Sequence, residues 1–122
     1  MNKITLVIGA SERQHRFSNK AIKALLQKQH QVMAIGKQSG EVNGVKIFTE
    51  LPTDLEIDTV TLYINPSLQK IYERFLIELN PRRVIFNPGT ENPILQKQLE
   101  EEGIETLNAC TLVLLATNKY ES

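Results

Sequence analysis

The chain contains no tryptophan, one cysteine, two histidines and no long hydrophobic run. Each scarcity excludes something. A single cysteine, Cys110, rules out an internal disulfide and a cysteine-rich zinc site, and it fits a reducing, cytoplasmic setting. No spacing of histidine, cysteine and carboxylates suits a metal ion, so no metal is expected. The apolar runs at residues 4–8 and 112–116 are too short to cross a bilayer, and the first leads straight into a turn. Neither a membrane span nor a signal peptide is therefore expected. With four Phe and three Tyr, aliphatic side chains must fill most of the core. The basic residues lack interleaved aromatics, which argues against nucleic-acid binding.

What is present suffices for one folded unit. The length of 122 residues and a hydrophobic content of 41% suit a single domain spanning 1–122, with helices packed on a sheet. The formal net charge is zero but unevenly placed. Residues 1–37 carry seven Lys/Arg against Glu12 alone, an excess of +6, and residues 38–122 carry the compensating −6. Such an asymmetry points to an anionic partner for the first third.

Residues 4–8 are nearly all apolar, as in a strand of a parallel sheet buried on both faces. From Ser18, a plausible N-cap, the period becomes helical, with Ala21, Ile22, Leu25 and Leu26 forming one stripe that fades near His30. A second strand covers residues 31–36. The polar stretch 37–43 shows no periodicity, and 45–48 is a short strand. Another strand at 59–64 ends in Asn65-Pro66. Leu68, Ile71, Tyr72, Phe75, Leu76 and Leu79 then predict an amphipathic helix with Ser67 as cap. A strand at 83–87, a helix capped by Asn92 with Pro93 at its first position, and a short strand at 104–107 follow. Residues 110–120 form a last helix or an ordered tail. Cys110 is expected to be a buried structural thiol and His30 a surface residue. Alternating strands and helices predict a Rossmann-like, doubly wound α/β fold with a mostly parallel sheet in three α/β/α layers.

In that architecture ligands sit beyond the C-terminal strand ends. Gly9-Ala10-Ser11 after the first strand reads as a tight turn whose backbone amides, with the following helix N-terminus, attract phosphate. Arg13, His15 and Arg16 lie in the same loop. The dinucleotide fingerprint G-x-G-x-x-G is incomplete, because Ser11 and Gln14 occupy its later positions, and no acid closes the second strand to hold a ribose. Gly36-Lys37 stands there instead, which suits an extra phosphate. Pro66, Pro88 and Gly89, at two further strand ends, are candidates for an apolar wall along an adenine or a pantetheine arm.

These segments together resemble the small single-domain CoA-binding proteins, and through them the CoA-binding domain of the succinyl-CoA synthetase alpha subunit. The resemblance is carried by Val7-Ile8-Gly9-Ala10-Ser11 and Phe17-Ser18-Asn19-Lys20-Ala21. It continues through the stretch from Gly44-Val45 through Phe48 to Leu51-Pro52, then Asp58, Asn87-Pro88-Gly89, Gly103-Ile104 and Cys110. It implies that CoA or an acyl-CoA is bound without chemistry of the chain's own, with no catalytic residue to carry over. Gly9, Ala10 and Ser11 would cradle the diphosphate; Arg13, Arg16, Ser18 and Lys37 would meet phosphates; Pro66, Pro88 and Gly89 would line the path. Two positions depart from the family pattern: Gly36-Lys37 replaces Asn-Pro, and Ala109 replaces an arginine. Two other functions stay open: an NAD(P)-binding redox enzyme or sensor, and an interaction or regulatory protein with a degenerate nucleotide pocket. A protein partner or homodimer fits any of them. CoA binding at this turn requires amides not already consumed by the protein's own carbonyls, and no acidic group covering them.

Overall fold

The computed structural model describes residues 3–51 and 54–121. Among them seven strands form one sheet. In chain order these are β1 (Ile4–Ile8), β2 (Gln31–Ile35), β3 (Gly40–Val42), β4 (Val45–Phe48), β5 (Thr59–Leu62), β6 (Arg83–Phe86) and β7 (Glu105–Asn108). The spatial order is β3-β4-β2-β1-β5-β6-β7. Every neighbouring pair is parallel except β3–β4. The fold is thus the Rossmann-like α/β class predicted from the sequence. Pro52, the last residue of the stretch that begins at Gly44, lies outside the described residues.

Helices α1 (Phe17–Gln27) and α4 (Thr111–Ala116) cover one face; α2 (Glu73–Leu79) and α3 (Pro93–Glu101) cover the other. Strand alternation feeds both layers. Leu6 and Ile8 of β1 pack with Leu76, Leu95 and Leu99, whereas Val7 packs with Ile22, Leu25 and Leu115. All of these side chains are buried, so the sheet's central strands are apolar on both sides.

Local structure departs from expectation in five places. The stretch 37–43 contains β3, which pairs antiparallel with β4 through an Asn43-Gly44 turn. Both turn residues have positive φ, 47° and 90°, as a two-residue hairpin turn of the primed type requires. Ser18 is not a cap: α1 starts one residue earlier, Arg16 holds the N-cap position, and Ser18 is buried in the first turn. The single helix expected at 68–79 is a 3-10 helix (Pro66–Tyr72) followed by α2, and its cap is Asn65, whose side chain accepts from the Ser67 amide at 3.0 Å. In a 3-10 helix residues three apart eclipse. Leu68 and Ile71 therefore stack together, and they face outward, 48% and 74% exposed. His30 is half-buried, packed edge-on against the Tyr120 ring, and Cys110 is half-buried at the N-cap of α4.

Candidate functional site

The chain leaves β1 toward β2 on one side, and β5 enters on the other. This places the topological switch point between the ends of β1 and β5, bounded by Gly9-Ala10-Ser11 and by Tyr63 to Pro66. Parallel pairing also brings the exits of β2 (Gly36-Lys37) and β6 (Asn87-Pro88-Gly89) to the same edge. The four strand ends singled out from the sequence share that edge.

The amide cradle is not the one expected. Gly9 and Ala10 both donate their N–H groups to the Ile35 carbonyl, each at 2.9 Å. The parallel ladder between β1 and β2 simply runs on: Gly9 supplies the last rung, and its φ of +96° turns Ala10 onto the same oxygen. These two amides are therefore consumed, and Gly9 and Ala10 are corrected from phosphate donors to turn-formers. The glycine at position 9 answers a different need. A Cβ there would lie 2.8 Å from the Tyr63 carbonyl oxygen, so the strand β5 backbone excludes a side chain. Gly36 is likewise closed, by the Ala10 carbonyl.

Donors compatible with an anion lie a few residues further on. No acceptor among the described residues takes the Ser11 or Glu12 amides. Helix α1 begins with no side-chain cap and no acid in its first turn, so no residue of that turn offsets the positive end of its dipole. Ser11 Oγ accepts from the Arg13 amide at 3.1 Å, and Asn19 Nδ2 donates to the Ser11 carbonyl at 2.9 Å, folding the loop back onto the helix. Asn19 is 2% exposed, and its Oδ1 meets no partner. The Glu12 carboxylate is held sideways. Its Oε2 accepts from the Glu41 amide at 2.9 Å, and it packs on Gly40 of the hairpin. Arg13, His15, Arg16 and Lys37 are all exposed, and Lys20 rests over the Phe17 ring. Arg13, His15 and Arg16 lie on the loop before α1 and Lys37 at the exit of β2; Ser18 is buried in the first turn of α1.

On the β5 and β6 side of this edge two buried polar side chains hold the exit loops, and neither is a site candidate from the sequence. Asn87, buried at the exit of β6, donates to Thr61 Oγ1 (2.7 Å) and the Leu62 carbonyl (2.9 Å) and accepts from the Thr111 amide (2.8 Å). One residue thereby ties β5, β6 and the start of α4. Gln69, fully buried in the 3-10 helix, donates to the Ile64 and Thr90 carbonyls and accepts from Asn92 Nδ2. It locks the β5 and β6 exit loops to each other. Asn87 stood in a noticed motif, whereas Gln69 sat among apolar residues with nothing to mark it. Pro66 is half-buried against this network; Pro88 and Gly89 are exposed, and Gly89 adopts φ +92° with open space around it. Tyr63 sits under the switch point. Burial pushes its hydroxyl up to about 12, against the hydroxyls of Thr111 and Thr61 beside it, so it stays protonated. Among the described residues no cluster of His, Cys, Asp or Glu could hold a metal ion, and no helix is long and apolar enough to cross a membrane.

A doubly wound, mostly parallel sheet in this strand order places the chain in the Rossmann-like class. The family is narrower. Residues 3–116 match the family model of the CoA binding domain, and the chain belongs to that family. Membership supports binding of CoA. Among solved structures, a crystallised protein described as uncharacterized is 42% identical over 98% of both chains, with a TM-score of 0.93. A hypothetical protein from Pyrococcus horikoshii is 30% identical over 91% of this chain and 79% of its own, with a TM-score of 0.80. An acetyl-coenzyme A synthetase of Ca. Korarchaeum cryptofilum is 15% identical, with a TM-score of 0.71. This chain covers 25% of that enzyme, and the likeness is one of fold. No curated protein matches.

Proposed function

We propose that this chain is a single-domain carrier or sensor of CoA or an acyl-CoA, cytoplasmic, with no chemistry of its own. The observation that supports it most is the coincidence of the family match with the α1 N-terminus: without a side-chain cap, free of acid in its first turn, and preceded by a loop that carries the exposed Arg13 and Arg16. The diphosphate is taken by the Ser11 and Glu12 amides and the first turn of α1, with Ser18 beside it. Gly9 and Ala10 shape the turn. Arg13, Arg16 and Lys37 supply charge-assisted bonds to the phosphates. Pro66, Pro88 and Gly89 flank the pantetheine arm along the β5 and β6 exits.

Thermal unfolding with and without ligand tests this. CoA is expected to raise Tm in a saturable way, while NADH and NADPH leave it unchanged. Replacing Arg13 and Arg16 by Ala together is expected to weaken CoA about tenfold or more while leaving the unliganded Tm near its original value, since each lost charged hydrogen bond removes roughly 1.5 kcal/mol or more. No shift at millimolar CoA would point to the degenerate-pocket alternative. That alternative draws support from the outward-facing Leu68, Ile71 and Ile94, which suit a protein partner or a second copy.

A further inference from the structure

The opposite edge of the sheet, where the strands begin, holds a cleft of about 350 Å3. Its floor contains Arg83, the first residue of β6, which is 2% exposed. Arg83 Nε donates to Thr59 Oγ1 at 2.9 Å, Nη2 donates to the Tyr120 carbonyl, and the guanidinium lies 4.5 Å from the Tyr120 ring centroid. A guanidinium this deeply buried ordinarily meets a carboxylate. Here none does among the described residues. Asp58, the acid of this cleft, is gripped by Arg82 through Nε (2.9 Å) and Nη2 (3.1 Å) and accepts from the Thr59 hydroxyl at 2.7 Å. Lys3, which also lines the cleft, draws on the same carboxylate. The Asp58 carboxylate is thus committed to Arg82 and Lys3, and Arg83 reaches it only through the Thr59 hydroxyl. The other acid at the cleft, Glu121, faces His30 at 3.4 Å. Among the described lining residues, Lys3, Arg82 and Arg83 outnumber the acids Asp58 and Glu121.

We propose that this cleft binds a small oxyanion, a phosphate or carboxylate group, between Arg83 and Lys3. Arg83 has Nη1 without an acceptor among the described residues, and a guanidinium edge matches two oxygens of one oxyanion. Lys3 is exposed and reaches the same volume from the start of β1. The site is independent of the CoA crossover, because its residues stand at the other end of every strand. Tyr120, whose hydroxyl pairs with Thr5 Oγ1 at 2.5 Å, forms its wall, so an occupant would press against the C-terminal segment.

Amide and arginine side-chain NMR on the full chain tests it, with inorganic phosphate and acetate titrated separately against sodium chloride at matched ionic strength. Saturable shifts are expected at Thr5, Gln31, Tyr120 and the Arg83 Nε–H. The tighter of the two anions names the group. Lys3→Ala, at an exposed position that folding does not need, is expected to weaken the tighter anion about fivefold or more, as loss of one charged contact should. Arg83→Lys is expected to abolish saturation, and Lys3→Ala keeps the proposal falsifiable if that variant does not fold. Shifts that rise linearly, that chloride reproduces, or that fall only on residues 11–19 would overturn it.

Discussion

Gly9 shows how one residue can be recognised correctly for the wrong reason. The sequence marks it as a turn glycine, and it is one. Which group uses its amide depends on the register of a strand 26 residues away, and nothing local encodes that. Gly9→Ala forces a side chain into φ +96° and against the Tyr63 carbonyl. The cost is expected to be about 2 kcal/mol or more, read as a fall in unliganded Tm of several degrees. Loss of CoA binding in that variant would therefore report on folding, whereas Arg13 and Arg16 report on the ligand. Asp58 gives a second test. Burial by itself would raise its carboxyl, but the hydrogen bonds from Arg82 and Thr59 and the charges of Arg82 and Lys3 outweigh this and hold it below 3.8. A depressed carboxylate stabilises the fold above its unfolded value and loses that contribution as pH falls through the lower folded value. Asp58→Asn is expected to cost about 1 kcal/mol at neutral pH, discounted for the half-exposed Arg82. It should also flatten the acid limb of the stability curve below about pH 4, as measured by denaturant unfolding across pH.

Elements with strong periodicity were legible. β1, β6 and α3 fall where apolar spacing and capping residues put them, α1 where its apolar stripe does though not its cap, and Asn92 caps α3 by accepting from the Leu95 amide. β3 was missed because three residues with one buried apolar side chain, Val42, leave no pattern. The signal that would have found it is Asn43-Gly44, a dipeptide suited to a primed turn, standing directly before the β-branched run of β4. Gly44→Ala is expected to cost about 1 kcal/mol through its positive φ alone, since a Cβ there meets open space. The same variant should leave CoA binding intact unless the hairpin releases Glu12, in which case affinity falls with stability. Chemical denaturation and ligand titration of one sample separate the two results. The 3-10 helix was read as α because its apolar residues satisfy both periods. What decides between them is Gln69, which must turn inward to reach the Ile64 and Thr90 carbonyls.

At the scale of the molecule, sheet order converts a charge asymmetry into a place. The excess of +6 in residues 1–37 includes Arg13, Arg16 and Lys37 at the exits of β1 and β2, on the edge where this architecture binds ligands. Phe17, Leu68, Ile71, Ile94 and Val113 are exposed on the helices that follow β1, β5, β6 and β7, apolar surface that helix packing leaves uncovered. Fold and edge were readable from alternation and turn residues. The donors inside the edge were not, because they depend on ladder register and on two buried amides. The most direct measurement is an amide-resolved NMR titration with CoA. The expected result is saturable shifts at Ser11, Glu12, Phe17 and Ser18, with Gly9 and Ala10 amides keeping their protection from hydrogen exchange. Absence of any saturable shift at millimolar CoA, or shifts confined to the edge where the strands begin, would contradict it.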